Sequence, residues 1–366
     1  TLNLSVVGSS PTGLTSARPL DGGPAQPPFQ MTKVDALDPG PEIASARTAE
    51  VESAAISPIS VSGGGQVRVG TASWTDPTMT ATGVFYPNDA KTAEERLHHY
   101  ASTFPLVEVD ATYYALPSAE TAKLWVERTP PDFVFDIKAH ALMTGQGTET
   151  KRLPKAIRTA LPEPVATKPR IYAKDLPDEV LDAVWASFRD GLEPLAEAGQ
   201  LGSILLQFPR WFFPSSENRG TIEEAAERLD GFACAVEFRN AAWLNEKNAE
   251  RTLRFLRDRN LAFVMVDEPQ SFKSSVPPVT AVTADLAFVR FHGRNRETWE
   301  ARGITPAERF RYLYSRDKLR EWVPKIREVA REAADTHVLM NNCYANYGTT
   351  NAREIAALLD GDIPEP

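Results

Sequence analysis

Acidic, basic and imidazole side chains recur in this sequence at the carboxyl-terminal ends of short apolar runs. Five of them could transfer protons or hold an anion: Lys138, Glu237, Arg239, Arg290 and His292. Glu237, with Arg239 two residues on, suggests a general acid or base whose pKa is set by a neighbouring cation, and His292 suggests a second proton-transfer group. Lys138, Arg239 and Arg290 would hold an anion such as a phosphate or carboxylate. The predicted catalytic residues are therefore Glu237, His292 and Lys138.

Further polar and aromatic side chains near the same positions suggest how such a ligand is oriented. The amides are Gln207, Asn341 and Asn342, the aromatic rings suited to stacking on a sugar or base are Trp74, Tyr113 and Trp243, and one more cation is Arg294. Together with Arg239 and Arg290 they form the predicted substrate-binding set. The expected ligand is a small anionic molecule that resembles a phosphorylated sugar or a nucleotide.

Three other chemistries remain open on these residues. Glu108, Glu237, Asp267 and His292 could bind a divalent metal in a phosphoesterase or endonuclease-like hydrolase, although neighbouring Arg and Lys side chains would repel the cation. Lys138 could form a Schiff base with a carbonyl substrate. The same polar groups could also hold a ligand in a non-catalytic binding or scaffold protein. An enzyme built on Glu and His acid–base chemistry would be a hydrolase or lyase, and no cofactor is predicted for it.

The apolar runs before these residues are of strand length and rich in Val, Ile, Leu or Phe, and amphipathic helical patterns lie between them. Eight strands that alternate with helices predict an α/β fold, the (β/α)₈ barrel of the TIM type. A doubly wound sheet fits less well, because no G-x-G-x-x-G loop follows the first run. The predicted strands are Val67–Ser73, Leu106–Asp110, Phe133–Lys138, Ser203–Phe208, Phe232–Phe238, Ala262–Asp267, Ala287–His292 and His337–Asn342.

Strand periodicity indicates which of these side chains face the lumen of such a barrel. Alternate residues of a strand face opposite ways, so the polar residues near each strand end oppose the apolar ones. The second to the seventh strands then carry lumenal polar residues at the end where TIM barrels keep their active sites. These residues are Glu108 and Asp110, Asp136 and Lys138, Gln207, Glu237 and Arg239, Asp267, and Arg290 and His292. The plainer alternative is a structural ion network with Glu237–Arg239 and Asp267–Arg290 salt bridges.

Two local signals mark helix starts, and one long connection stands out. Thr92 with Glu95 three residues on predicts a capping box, and Asn351 is predicted as the N-cap of the last helix. The connection at 141–174 is rich in Gly, Pro and basic residues. It is expected to be either a lid over the site or an insertion with a packing role.

Composition limits the class of protein. The 366 residues carry a net charge of −9, which argues against a protein that coats nucleic acid but leaves a local basic patch open. Residues 1–66, rich in Pro, Gly, Ser, Ala and Thr, predict a disordered tail before a barrel domain at 67–366. No apolar run of membrane-spanning length or signal-peptide pattern is visible, and the two cysteines are far apart, so a cytoplasmic protein is expected. The oligomeric state stays open.

Seven motifs in order resemble those of the YecE-like family, a domain of unknown function with a TIM-barrel fold. The resemblance covers 67–359, implies the barrel fold and implies no particular reaction. The long connection after the third strand is similar to a longer-loop branch of the family. The sequence departs from the family at Asp110, where Asn is frequent, and at Cys343, where an acidic residue often follows the Asn pair. The motifs are Val69–Trp74, Phe85–Pro87, Glu108–Ser118, Leu206–Pro209, Glu237–Asn240 with Trp243, Arg290–Arg294 and Asn341-Asn342.

Overall fold

In a computed structural model, which describes residues 38–51, 55–81 and 83–361, eight parallel strands close into a barrel. Each strand pairs with the next one along the chain and the last pairs with the first, which confirms the predicted (β/α)₈ architecture. All eight predicted strands are present, with bounds close to those expected. They are β1 (Gln66–Ala72), β2 (Leu106–Val109), β3 (Val134–Lys138), β4 (Leu201–Gln207), β5 (Cys234–Glu237), β6 (Ala262–Asp267), β7 (Leu286–Phe291) and β8 (Asp335–Met340).

Helices alternate with the strands, as the apolar stripes predict. The capping box is confirmed, because Thr92 Oγ1 accepts from the Glu95 backbone N–H and the Glu95 carboxylate accepts from that of Thr92. Across the described ranges, no helix is both long and apolar enough to cross a membrane. The helices are α1 (Pro41–Glu50), α2 (Pro77–Ala81), α3 (Ala93–Ala101), α4 (Ala119–Glu127), α5 (Lys155–Thr159), α6 (Glu163–Ala166), α7 (Asp178–Glu197), α8 (Ser216–Arg228), α9 (Ala249–Arg257), α10 (Pro306–Arg309), α11 (Arg316–Arg320), α12 (Val323–Glu332) and α13 (Tyr347–Asp360).

The last helix begins earlier than predicted. Asn351, predicted as its N-cap, lies inside α13, and its side chain is fully buried. The Asn351 amide accepts a bond from the Tyr314 backbone N–H at 3.0 Å and donates one to the Tyr314 carbonyl at 3.1 Å. Because this amide is satisfied by the backbone of a neighbouring loop, it fixes that loop against α13 instead of capping the helix.

Residues 38–51 and 55–66, which belong to the segment predicted as a disordered tail, include a helix and a short strand. Helix α1 packs on α13, and Arg47 Nε donates to the buried Glu354 carboxylate at 2.9 Å. Thr48 and Thr350 share a hydroxyl bond of 2.8 Å. The short strand Ile59–Ser60 also pairs with β1. The described domain therefore begins at Asp38, and the rest of the predicted tail, residues 1–37, lies outside the described residues.

The connection between β3 and β4 has its own secondary structure. Two short antiparallel strands, Thr148–Glu149 and Arg170–Ile171, enclose α5 and α6 within the segment predicted as a lid or an insertion. They border a cavity of about 700 Å³, which we call the loop cavity. Its basic lining residues are Lys151, Arg158, Lys168 and Arg170.

The floor of the barrel lumen is a separate ion pair. Asp136 accepts from His337 Nδ1 at 2.9 Å and from Ser203 Oγ at 2.7 Å, and all three side chains are buried. Burial would lower the pKa of His337, but the Asp136 carboxylate outweighs it and raises the pKa to about 9. Only a glycine fits at Gly202, where a Cβ would lie 2.7 Å from Asp136 Oδ1. These residues hold the lumen together below the mouth where the site lies.

Candidate functional site

Arg290, near the end of β7, is the centre of the ion network at the mouth of the lumen. The side chain is 1% exposed. Its Nη2 donates to Glu108 Oε1 at 2.7 Å and its Nη1 donates to Glu237 Oε2 at 2.5 Å. Arg290 thus links carboxylates from β2 and β5 across the lumen, where strand parity predicted them. The predicted Asp267–Arg290 salt bridge is wrong.

Glu237 has more partners than any other carboxylate described here. Besides Arg290, it pairs with Arg239 Nε at 2.5 Å, which confirms the predicted Glu237–Arg239 salt bridge, and it accepts from Gln207 Nε2 at 2.8 Å. Burial alone would raise the pKa of Glu237, but Arg239 and Arg290 outweigh it and hold that pKa well below its ordinary value. Glu237 is therefore a fixed negative charge at neutral pH.

His292 completes the network as a neutral ring. Burial, and then the charge of Arg239, lowers the pKa of His292 to about 3. Asn341 Nδ2 lies 2.8 Å from His292 Nδ1, which accepts from it. The other ring nitrogen, Nε2, faces both Glu237 Oε1 at 3.2 Å and Arg239 Nη2 at 3.1 Å. The structure thus brings together Gln207, Glu237, Arg239, His292 and Asn341 from the predicted set.

The lumenal acid from β6 is Glu268 and not Asp267. The register pairs Arg290 with Val266, so the lumenal face of β6 carries Val266 and then Glu268, and Asp267 faces outward. Glu268 accepts from Arg239 Nη1 at 3.2 Å. Burial raises its pKa to about 8. Sequence parity could have found Glu268, but Val264 and Val266 on one face of β6 are as apolar as Phe263 and Met265 on the other, so the two faces look alike.

Asp267 instead holds the loops and helices outside the barrel. Its carboxylate accepts from Tyr314 Oη at 2.6 Å, Trp322 Nε1 at 2.6 Å and Arg294 Nη2 at 2.7 Å. Arg294, predicted to bind substrate, also pairs with Glu321 at 2.7 Å. Both Asp267 and Arg294 are therefore positioned to fasten the loop after β7.

We expect Asp267→Asn to lower the free energy of unfolding by about 2 kcal/mol, because a neutral amide replaces a buried carboxylate that accepts three bonds. Glu321→Gln is the matched control, since it removes the exposed partner of Arg294, and we expect it to cost less than about 1 kcal/mol. Urea denaturation of both variants measures the difference. Equal losses would contradict the outward assignment of Asp267.

Glu108 and Lys138, on the other side of the mouth, have fewer hydrogen-bond partners than Glu237 and Arg239. Glu108 is fully buried, and its Oε2 has no hydrogen-bond partner among the residues described. Burial raises its pKa to about 7, against the pull of Arg290 and Lys138. Burial, and then the charge of Arg290, lowers the pKa of Lys138, whose Nζ lies 5.1 Å from the centre of the Tyr113 ring. Groups with pKa values moved toward neutrality are suited to proton transfer.

Beside this network, a cavity of about 440 Å³ opens at the ends of β4 and β5, and we call it the mouth cavity. Four of its lining residues are arginines: Arg210, Arg239, Arg302 and Arg309. Its aromatic lining includes Trp211, Trp299 and Phe310, and its single acidic lining residue is Glu300. The cavity is thus basic and partly aromatic, although the whole chain is acidic.

Two side chains connect the mouth cavity to the Glu108–Lys138 half. Gln146 lines the cavity and donates to the Gln207 backbone carbonyl at 3.2 Å. The Tyr113 hydroxyl donates to Gln146 Oε1 at 2.9 Å, and the Tyr113 ring lies under Lys138. Tyr113 therefore contacts Lys138 on one side and Gln146 on the other.

The other predicted binding residues lie in the packing layers. Trp74 packs edge-on against Trp125, with ring centres 5.8 Å apart. Trp243 is fully buried and donates from Nε1 to the Phe212 carbonyl at 2.7 Å. Asn342 donates to the Tyr312 carbonyl at 2.8 Å. Their positions just after strand ends made these residues look like site residues, but each is held by the shell around the barrel.

The alternative metal set is not assembled. Arg290 lies between Glu108 and Glu237 and pairs with both, while Asp267 faces away from the lumen. Within the described ranges, no group of three or more His, Cys, Asp or Glu side chains is arranged to hold a metal ion. A buried cation already occupies the position where two of the four proposed ligands meet.

Sequence reasoning did not find Gln146, Arg210 or Arg309 as site residues, and it indicated Arg302 only as one of several basic residues after the seventh strand. They come from loops after β3, β4 and β7 and from α10, where no periodicity indicates orientation. The one available signal was the abundance of arginine after β7.

This chain is similar to known proteins over most of the barrel. The family model described as "Protein of unknown function DUF72" matches residues 68–365. UPF0759 protein YunF of Bacillus subtilis is 30% identical over 298 residues, which cover 80% of this chain and 95% of that protein. UPF0759 protein YecE of Escherichia coli K12 is 26% identical over 256 residues, which cover 64% and 78%.

Solved structures are similar as well. The crystal structure of a DUF72 family protein from Thermotoga maritima has a TM-score of 0.62 and 30% identity, over 80% of this chain and 99% of that one. A DUF72 family protein from Enterococcus faecalis has a TM-score of 0.62 and 25% identity, over 80% and 97%. These proteins share the barrel and the order of its elements with this chain.

Proposed function

This chain belongs to the DUF72 family of proteins of unknown function, which confirms the YecE-like resemblance, and we propose that it is an enzyme that acts by proton transfer on a small anionic molecule. The observation that carries the proposal is the convergence of Arg210, Arg239, Arg302 and Arg309 on the mouth cavity. A cavity of about 440 Å³ suits a small molecule such as a phosphorylated sugar or a nucleotide.

The mouth cavity is lined by more arginines than carboxylates, so the arginine charges are not fully neutralised. Arg210 and Arg302 are exposed, and neither has an ion-pair partner in the part of the chain that is described. Arg309 donates to the backbone carbonyls of Thr298, Trp299 and Ala301. Burial, and then the charges of Arg210 and Arg239, lowers the pKa of Arg309, which indicates that cations crowd here. A bound anion would relieve this crowding and accept their hydrogen bonds.

Aromatic rings at the cavity suit a sugar or a base. The Arg239 guanidinium lies 5.3 Å from the centre of the Trp299 ring, which is mostly buried. Trp211, at 57% exposed, stands free on the rim. A flat or hydroxylated ligand could stack on Trp211 while its anionic group contacts Arg210 and Arg302.

For the proton transfer we favour Glu108 over Glu237 and His292, which were predicted from sequence. Glu237 stays ionised because Arg239 and Arg290 hold its pKa low, and His292 stays neutral, so neither changes its proton count near neutral pH. Glu108 has an unpartnered oxygen and a pKa of about 7, so it can both donate and accept a proton. Glu237 and His292 then serve as positioning residues for Arg239 and Arg290.

Calorimetric titration with inorganic pyrophosphate tests the binding part of the proposal. We expect one saturable site whose affinity falls as sodium chloride is added, because charge–charge contacts at a partly open cavity are screened by salt. Absence of saturable binding at low salt would contradict an anion site.

We expect the difference in free energy of unfolding between Glu108→Gln and the wild type to shift by about 2 kcal/mol in favour of the variant as the pH rises from 5 to 8. The raised folded-state pKa of about 7 means that the folded wild type keeps a proton that the unfolded chain has already lost above its ordinary pKa. This contribution is fully present below the unfolded pKa and disappears as the pH rises through about 7. Urea denaturation at both pH values measures it, and taking the difference between the two proteins cancels the opposing titration of His292. A constant difference would contradict the raised pKa.

A further inference from the structure

Lys138 has the environment of a nucleophilic amine. It lies at the lumenal end of β3, half-buried, and its Nζ forms no hydrogen bond or ion pair with any residue in the described ranges. The side chain rests against the face of Tyr113 instead. A lysine whose amine is neither neutralised by a bound carboxylate nor fully solvated is the kind that enzymes use to attack carbonyl carbon.

Two carboxyl groups stand near this amine without pairing with it. Glu108 and Asp110 come from the neighbouring strand β2 and the residue after it, and both act electrostatically on Lys138. Burial raises the pKa of both carboxyls, so they retain protons more readily than ordinary acids. The lowered pKa of the amine and the raised pKa values of the two acids are the directions that favour an amine nucleophile beside a proton donor.

Two contacts, from Lys138 to Tyr113 and from Tyr113 to Gln146, connect the amine to the mouth cavity. The Tyr113 hydroxyl donates to Gln146, which lines that cavity, and the Tyr113 ring contacts Lys138. The Tyr113 ring and the Gln146 amide therefore lie between Lys138 and the cavity. A molecule whose anionic group contacts Arg210 and Arg302 could extend its other end toward Lys138 past Gln146.

We propose that Lys138 forms a Schiff base with the aldehyde or ketone group of a phosphorylated carbonyl compound, whose phosphate binds at the arginines of the mouth cavity. The substrate class rests on the anion site proposed above. Among the cluster residues, Lys138 is the one that contacts the reacting carbon, while Arg290 and Tyr113 are positioning residues.

The reaction balances without any other reagent. The neutral Nζ of Lys138 adds its lone pair to the carbonyl carbon, the C=O π bond breaks, and one proton passes from the attacking nitrogen to the oxygen to give a neutral carbinolamine. The Glu108 carboxyl then protonates the hydroxyl, which leaves as water while the nitrogen lone pair forms the C=N bond. Hydrolysis by the reverse steps returns the amine and the carbonyl compound.

Borohydride trapping tests the proposal. The wild-type protein is incubated with glycolaldehyde phosphate, reduced with sodium borohydride, digested and mapped by mass spectrometry. We expect the secondary-amine adduct mainly on Lys138, because each unit by which its pKa is lowered raises the fraction of neutral amine about tenfold. Pyrophosphate should suppress the adduct, and glycolaldehyde, which lacks the phosphate, should give less of it. Lys138→Arg keeps the charge and should give no adduct on this peptide.

Adducts spread over exposed lysines such as Lys151, with Lys138 unmodified, would overturn the proposal. This trapping result is obtained with the wild-type protein alone, so it does not depend on whether the Lys138→Arg variant folds. If pyrophosphate binds by calorimetry but Lys138 is not trapped, the Schiff base fails and the anion site stands. If Lys138 is trapped equally by both aldehydes and pyrophosphate does not bind, the amine chemistry stands, while the anion site and the phosphorylated substrate class fail.

Discussion

Replacing Arg290 by methionine is expected to lower the free energy of unfolding by about 4 kcal/mol. The substitution leaves the Glu108 and Glu237 carboxylates buried on opposite sides of the lumen without the guanidinium that links them. Methionine fills much of the volume, so the loss comes from uncompensated charge and not from an empty space. Urea denaturation at pH 7 measures this change.

The matched control is Arg254→Met on α9. Arg254 also pairs with a glutamate, Glu250, but both side chains are exposed, so we expect a loss below about 1 kcal/mol. The Arg290→Met loss should also shrink toward pH 5, where Glu108 can take up a proton. A loss as small as that of the control, or one that does not change with pH, would show that Arg290 does not hold the network together.

The double charge reversal Arg210→Glu/Arg302→Glu is expected to weaken pyrophosphate binding by about 100-fold. Two charge-assisted hydrogen bonds contribute at least about 3 kcal/mol together, and 1.4 kcal/mol corresponds to a factor of ten. Both arginines are exposed and have no ion-pair partner in the described part of the chain, so we expect the fold to be kept. Calorimetric titration gives the affinity, and denaturation checks the fold.

Lys151→Glu/Arg158→Glu provides the control, because it makes the same change in net charge at the loop cavity. We expect it to weaken pyrophosphate binding less than about threefold, since exposed charges that do not line the mouth cavity are screened by salt. If both double variants weaken binding equally, the effect comes from the overall charge. If only the control weakens it, the anion binds in the loop cavity.

The barrel could be predicted from the sequence because each strand is a short, buried apolar run. Ala262–Asp267 has the same bounds in sequence and structure, and the runs around it shift only slightly. Strand parity also placed Glu108, Glu237 and Arg290 in the lumen, where they meet. These residues alternate with large apolar side chains that leave one face available for charge.

The same rule failed where both faces of a strand are apolar. Val264 and Val266 on the lumenal face of β6 are as apolar as Phe263 and Met265 on its outer face, so the outward Asp267 looked like the lumenal residue and Glu268 was missed. Only the register with Arg290 identifies the face. The register between two strands depends on both of them, so the sequence of one strand alone does not determine it.

Helix α1 was missed for a related reason. Its one large apolar side chain, Ile43, is 50% exposed, so the segment shows no apolar stripe. The helix is instead held by polar contacts to α13, from Arg47 to Glu354 and from Thr48 to Thr350. Short helices depend on such tertiary contacts, which local sequence does not reveal.

The arginines of the mouth cavity show the limit most clearly. Arg309 belongs to the short helix α10. Its guanidinium donates to the carbonyls of Thr298, Trp299 and Ala301, and these bonds fix the orientation of the helix. Neither the helix nor this loop has a periodic pattern. The sequence alone shows that basic residues follow the strands. Only the folded chain determines which arginines line the same cavity.

A crystal structure of the protein grown with pyrophosphate tests the central claim most directly. We expect density for the anion in the mouth cavity, within hydrogen-bond distance of Arg210 and Arg302, with the Arg290 network below it unchanged. Density only in the loop cavity beside Arg158 and Lys168, with the mouth cavity empty, would contradict an anion site at the ends of the barrel strands.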